Sequence, residues 1–331
     1  MRWGPEAANS AGPGRRLRNN MTKLSLTLPF QSNETLPSYC SRIAAVNGIE
    51  SASEFSAHFG FRFDRLVKGG HAEIDVFAEL VGKMPIQLHR GQLSQHGKTV
   101  VIQESIFTRE FIDTDRCRVC PACVLRDIGP EFSFHRAYGR TEWMLRFVHT
   151  CPDHKIPLVR FGGGRKNFGD FATQIRAIIE ELKTHASKPR LNIPIRLQDY
   201  VINRMRGSKT QGGWLDDFPL QAAAHFAELL GAVVRDGSEP DLESYTSDDW
   251  IEVAEIGFGI AETGESAVRA ALQEFLEFNP ISRRVRASMF LGRLYAELIE
   301  RHDLPGYLEL GKFLEGVVRE RHPNLVSDLP A

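Results

Sequence analysis

The eleven residues from 117 to 127, CRVCPACVLRD, hold three of the five cysteines in this 331-residue chain, at 117, 120 and 123. A second concentration of ligand-type residues follows Cys123 after 27 intervening residues, in Cys151-Pro-Asp-His154. Zinc takes four soft or borderline ligands in a tetrahedron, often from two short turns with two residues between the ligands. Cys120-Pro-Ala-Cys123 and Cys151-Pro-Asp-His154 are two such turns, each with proline directly after the first ligand. Proline presets φ for the turn and removes one N–H, leaving the later amides to face sulfur. Cys117-Arg-Val-Cys120 lacks the proline, so the spacing assigns Cys120, Cys123, Cys151 and His154 to one zinc ion and leaves Cys117 peripheral. His135 and His149 remain as alternative nitrogen ligands. Four protein ligands leave no open coordination position, which makes the expected ion structural rather than catalytic.

The rest of the chain must position that cluster. Composition is that of an ordinary globular protein, 42% hydrophobic and 25% charged. The length suggests about two domains, and a core of that size folds without a disulfide or metal. No apolar run approaches the roughly 18 residues of a membrane span. Residues 1–20 are rich in Gly, Pro, Asn and Arg and lack the apolar centre of a signal peptide. They read as a disordered tail, with an extended entry to about residue 27, and Met21 reads as the start of the protein-like chain. The expected compartment is cytoplasmic, where clustered cysteines favour metal over disulfides.

The pattern is mostly helical. Residues 36–47 form a helix closed by Asn47-Gly48, and Ser51 caps a second one in SASEFSAHFG. Residues 72–93 read as a helix pair broken at Gly82-Lys83-Met84-Pro85. VVIQESIF is the best strand candidate, RTEWMLRFVH is ambiguous, and FGGGRKNFGD marks a boundary. Beyond it, FATQIRAIIEEL and five further segments carry apolar residues at three- and four-residue spacing. The expected fold is mainly α with a small β-containing, zinc-binding insert, an N-terminal helix-turn-helix-like region and a C-terminal helical domain. The expected divisions are 28–160, a basic linker and helix over 161–210, and an acidic helical domain over 211–331. Basic residues outnumber acidic ones by 10 to 4 over 161–210, and acidic outnumber basic by 22 to 10 over 211–331. A basic middle suits a polyanion, and an acidic end argues against DNA wrapping the whole chain.

Arg118-x-Cys120-Pro-x-Cys123 followed by Asp127, Arg140-x-x-Trp143 and Cys151-Pro-x-His154-x-x-Pro-Leu158 resembles the core signature of the TniQ family. The upstream LPSYCSRIAAVNG is similar to that family's N-terminal entry. The resemblance covers roughly residues 28–160. It implies a target-site adaptor in transposition of Tn7-like elements. Such an adaptor binds double-stranded DNA or docks on an RNA-guided effector complex, and it recruits an AAA+ transposition regulator or transposase. Family members often carry a second Cys-x-x-Cys after the histidine. Here that place reads LVRFGGGRKN, so one zinc ion is expected rather than two.

Within VFAELVGKMPIQLHRGQL, Ala78, Gly82 and Leu88 occupy positions that let two helices of a helix-turn-helix cross closely. The second helix, about 85–93, would present Gln87, His89, Arg90 and Gln92 outward, residue types that read base edges and phosphates. Segment 186–209 adds Lys188, Arg190, Arg196, Arg204, Arg206 and Lys209, of which Arg204 and Arg206 are the candidate phosphate contacts. Trp143 is expected to pack beside the metal, and Arg140 to cap that core or touch phosphate. No P-loop, dinucleotide fingerprint, nucleophile elbow or His-Glu-x-x-His is present. The reading is therefore a non-enzymatic, DNA-binding adaptor, with a protein-only assembly adaptor as the alternative.

Overall fold

The computed structural model describes residues 23–113, 116–161, 169–187, 194–208, 213–278, 286–327 and 329. The tail over 1–20, most of the glycine-rich stretch (162–168), and Lys188, Arg190 and Lys209 lie outside the described residues.

The N-terminal part is a cluster of short helices: α1 (Leu36–Val46), α2 (Ala52–His58), α3 (Phe63–Val67), α4 (His71–Leu80) and α5 (Pro85–His89). Pro37 in the first turn of α1 has no N–H to leave unsatisfied there. Ser51 caps α2 by accepting from the Glu54 N–H at 3.1 Å. These helices close over Leu36, Tyr39, Ile43, Phe55, Phe77 and Leu88. Asp170 joins them to the later chain, accepting from the Ser41 hydroxyl at 2.5 Å and the Ala52 N–H at 3.0 Å.

The expected helix pair over 72–93 is present, with two corrections. Ala78 and Leu88 are buried and Gly82 turns at φ +67°, as the pattern requires. However, α5 is only five residues long, and Leu93 already opens a strand. The single strand expected in VVIQESIF is a hairpin. Strands β1 (Leu93–His96), β2 (Thr99–Ile102) and β3 (Ser105–Thr108) form an antiparallel sheet, with Leu93 opposite Ile102 and Thr99 opposite Thr108. Gln103 and Glu104 both take positive φ, +47° and +72°. That conformation suits a two-residue hairpin turn, but glycine or asparagine usually announces it.

A second sheet pairs β4 (Cys117–Val119) with β5 (Val159–Phe161), antiparallel, Cys117 opposite Phe161. Between them lie α6 (Pro121–Ile128) and a 3-10 turn at Thr141–Met144. The helix expected in FATQIRAIIEEL is two, α7 (Phe171–Ala177) and α8 (Ile179–Ala186), parted at Ile178 (φ −118°, ψ 14°). The break lets the halves pack on different partners, α7 on α1 and α8 on α6.

After α9 (Arg196–Met205), the chain is helical as expected: α10 (Leu220–Asp236), α11 (Ser247–Ala261), α12 (Glu265–Phe278), α13 (Ala287–Glu300) and α14 (Tyr307–Arg321). The α10–α11 pair crosses at glycine. A Cβ on Gly231 would overlap the Val253 carbonyl, and one on Gly257 the Ala227 carbonyl. The apolar core of these helices also takes in Val100, Ile102 and Phe107 of the hairpin and Leu145 and Phe147 of the insert. Among the described residues, no helix is long and apolar enough to cross a membrane.

Candidate metal centre

The β4–β5 ladder brings the two ligand turns together, because it pairs the segment leading into Cys120 with the segment leaving His154. Cys120 is the N-cap of α6, and its sulfur accepts the Cys123 N–H at 3.4 Å. Pro121 opens that helix, where its missing N–H costs nothing. The second turn is tied by the Lys155 N–H to the Cys151 carbonyl at 2.9 Å and the Cys151 N–H to the Ile156 carbonyl at 2.9 Å. Lys155 takes φ +54° to let the chain reverse.

Ligand atoms of Cys120, Cys123, Cys151 and His154 all lie within 4.8 Å of one another. Cys123 Sγ is 3.6 Å from Cys151 Sγ, and His154 Nδ1 is 3.5, 3.3 and 3.6 Å from the sulfurs of Cys120, Cys123 and Cys151. Zinc–sulfur bonds of about 2.3 Å and zinc–nitrogen bonds of about 2.0–2.1 Å imply tetrahedral edges of about 3.6–3.8 Å. The four residues fit a zinc ion on that ground.

Their electrostatics agree. Hydrogen bonds from the Cys120 and Cys123 thiols push the Cys151 thiol well below its ordinary range. Hydrogen bonding to Cys120 and Cys151, then burial, pushes Cys123 far up. Three thiolates this close would repel one another without a cation between them. A divalent metal ion is what permits all three to ionise. Arg140 stands beside the cluster. Burial works against its charge, yet its pKa is raised, by Cys123 and then by Asp127, which it meets at 3.1 Å.

Cys117 is outside the cluster, on β4, its thiol pushed up to about 12 by burial and then Asp113. His135 and His149 are also outside it. Trp143 is fully buried in the module's core, with the Arg140 guanidinium 4.5 Å from its ring.

The DNA-contact candidates are dispersed. Gln87 and Arg90 are exposed at the end of α5, and His89 is half-buried. Gln87 Oε1 accepts from the Met84 N–H at 3.0 Å. Gln92 does not face outward. It lies beyond the end of α5, is 5% exposed, donates to the Gly69 carbonyl at 2.9 Å and accepts the His89 ring. Arg204, on α9, donates to Tyr200 Oη at 2.8 Å and the Phe218 carbonyl at 2.9 Å. Arg206 pairs with Glu142 at 3.0 Å. Arg196 pairs with Glu255 of α11 and with Glu262 just past its end.

Sequence reasoning missed the buried pair of Arg42 with Glu34, 2.7 Å apart, which fixes the start of α1. Arg42 Nε also donates to the His135 carbonyl at 2.7 Å, tying α1 to the insert. Burial raises the Glu34 pKa to about 7 although Arg42 opposes the shift. Only the LPSYCSRIAAVNG entry segment, which contains Arg42, hinted at a constrained stretch.

No curated protein matches the chain. A family model, TniQ, matches residues 25–158, a stretch that contains the helical cluster, the hairpin and all four candidate metal ligands. That stretch is therefore similar to the TniQ family, the family its motifs resemble.

Proposed function

We infer that the protein is a DNA-binding, zinc-containing adaptor for target-site selection in transposition. The observation that carries this reading is the coincidence of a Cys3His cluster with the TniQ match. The zinc ion would cross-link the two turns through Cys120, Cys123, Cys151 and His154. Those four side chains fill a tetrahedron, so the site holds structure and offers no position to a substrate. The cross-link would fix β4, β5 and α6 around the 3-10 turn that starts at Arg140 and contains Trp143, and α1 rests against this module through Arg42 and Ser38.

The proposed DNA face is the exposed end of α5, with Gln87 and Arg90, and with His89 at its edge. Arg204 and Arg206 act within the fold, one bracing α9 against Phe218 and the other held by Glu142. The acidic helices α10–α14 would supply a surface for the AAA+ regulator or transposase, or for an RNA-guided complex. Electrophoretic mobility shift with duplex DNA at moderate salt tests the reading. Binding weakened by Arg90→Ala is the expected result. Absence of duplex binding at high micromolar protein, with a stable partner complex, would favour a protein-only adaptor.

A further inference from the structure

A cavity of about 700 Å³ opens between the zinc-bearing insert and the C-terminal helices. That volume lies in the range of small-ligand sites. Its two walls differ in charge balance. On the helical wall, Arg301 meets Glu110 at 2.8 Å and Glu297 at 2.7 Å, and Arg293 meets Glu297 at 3.2 Å. Those arginines are matched by carboxylates.

The insert wall is not matched. Arg118, Arg146 and Arg160 all line it; Arg118 and Arg160 share one carboxylate, Asp113, while among the described residues Arg146 has no carboxylate at salt-bridge distance and feels Glu110 and Glu228 only at longer range, with Glu243 also in the lining. Arg160 Nε is 3.0 Å from Asp113 and Arg118 Nε is 3.7 Å away. The remaining Arg118 nitrogens donate to the Leu145 and Val148 carbonyls, and Arg146 donates to the Glu110 carbonyl at 3.1 Å. Carbonyls satisfy donors without cancelling charge. Arg118 is 4% exposed at its side chain, and its Nε, like the His149 Nε2 of the same wall and the Arg293 Nε of the helical wall, is buried without a hydrogen bond. Buried polar atoms left so are uncommon and costly. Glu228, the buried carboxyl of α10 in this cavity, has its pKa raised to about 8 by burial, so it adds little negative charge at neutral pH. Across the cavity stand Trp250 and Tyr245, half-buried, their ring centroids 5.2 Å apart.

We propose that this cavity binds a nucleoside phosphate, the phosphoryl group on Arg146, Arg160 and Arg118 and the base against Trp250. Planar guanidinium groups grip phosphate oxygens in pairs, and a base stacks on an aromatic wall regardless of its identity. Two sources share this chemistry: a free mononucleotide and the phosphorylated end of a nucleic-acid strand. The site is separate from α5, so this proposal and the DNA face can fail independently.

The test is titration of the full, zinc-loaded chain with 5′-dAMP, adenosine and a 5′-phosphorylated thymidine trinucleotide, followed by calorimetry and tryptophan fluorescence. The expected result is one-to-one binding of dAMP or the trinucleotide, with no binding of adenosine. The tighter of the two phosphorylated probes identifies the source. Arg146 and Arg160 are exposed enough for R146E/R160E to keep the fold, checked by circular dichroism and metal content. This variant is expected to lose at least tenfold in affinity. Trp250→Leu is expected to weaken the nucleotide and to abolish its fluorescence change. No binding of either phosphorylated probe at millimolar concentration, equal binding of adenosine, or unchanged affinity in the double-arginine variant would overturn the proposal.

Discussion

The Cys3His insert and the C-terminal helical body are built by different means. The helical body closes over a large apolar core, and α10 and α11 approach until their backbones touch at Gly231 and Gly257. The insert has two three-residue strands, one eight-residue helix and a core in which Cys120, Cys123 and Cys151 are themselves buried members. On the function proposed above, a metal ion would add local cross-linking to this small core, whereas the long helices rely on buried area.

That contrast can be broken most forcefully by removing the ion. A structural zinc contributes about 10–16 kcal/mol in small metal-folded units. Cys123→Ser or strong chelation is therefore expected to unfold the insert, with loss of the near-ultraviolet signal of Trp143. Most helical circular dichroism should persist. Complete loss of helix on chelation would show that the two regions are one cooperative unit.

Next in size is the seam between insert and N-terminal helices. Arg42→Ala strands the buried Glu34 carboxylate, and removal of one partner of a buried pair costs about 3–5 kcal/mol. Denaturant unfolding should show it, with zinc content unchanged. Within the helical body, Gly257→Ala forces a methyl group against the Ala227 carbonyl. Overpacking of that kind costs about 1–3 kcal/mol, occasionally more, and is expected to lower Tm without loss of metal.

A pH effect sharpens the comparison further. Burial raises Glu228 from 4.5 to about 8 and Glu34 to about 7. A carboxyl whose folded pKa exceeds its unfolded value binds protons more readily in the folded chain. Its contribution is complete below about 4.5 and is lost as pH rises through the folded value. Thermal stability is therefore expected to fall between pH 5 and pH 8, and Glu228→Gln to flatten that slope. The smallest effect on stability is at Arg90, which is exposed. Arg90→Ala should change unfolding free energy by less than about 0.5 kcal/mol. It should also lower the salt dependence of duplex binding by about one phosphate contact.

The Cys3His cluster was legible because its information is local: two proline-started turns, each with its cysteine or histidine residues three apart. The long amphipathic helices were legible for the same reason, their apolar residues recurring with the helical period. What escaped was set by distant partners. The Gln103–Glu104 turn carries no glycine, so its left-handed backbone is imposed by the pairing of β2 with β3. The β4–β5 ladder joins segments some forty residues apart in sequence, a pairing three-residue strands do not announce. Gln92 resembled an outward polar residue by helical spacing. The helix ends at His89, and the amide turns inward to Gly69. Arg204 and Arg206 were named from composition, which does not show that Arg204 Nη1 donates to Tyr200 and the Phe218 carbonyl or that Arg206 pairs with Glu142.

Metal analysis of the purified, tag-free protein, paired with thiol titration before and after chelation, tests the central claim most directly. One zinc per chain is predicted, with the three thiolates of 120, 123 and 151 protected until the ion is withdrawn. Protein that is fully folded with no stoichiometric metal, its three cluster thiols reacting freely, would contradict it.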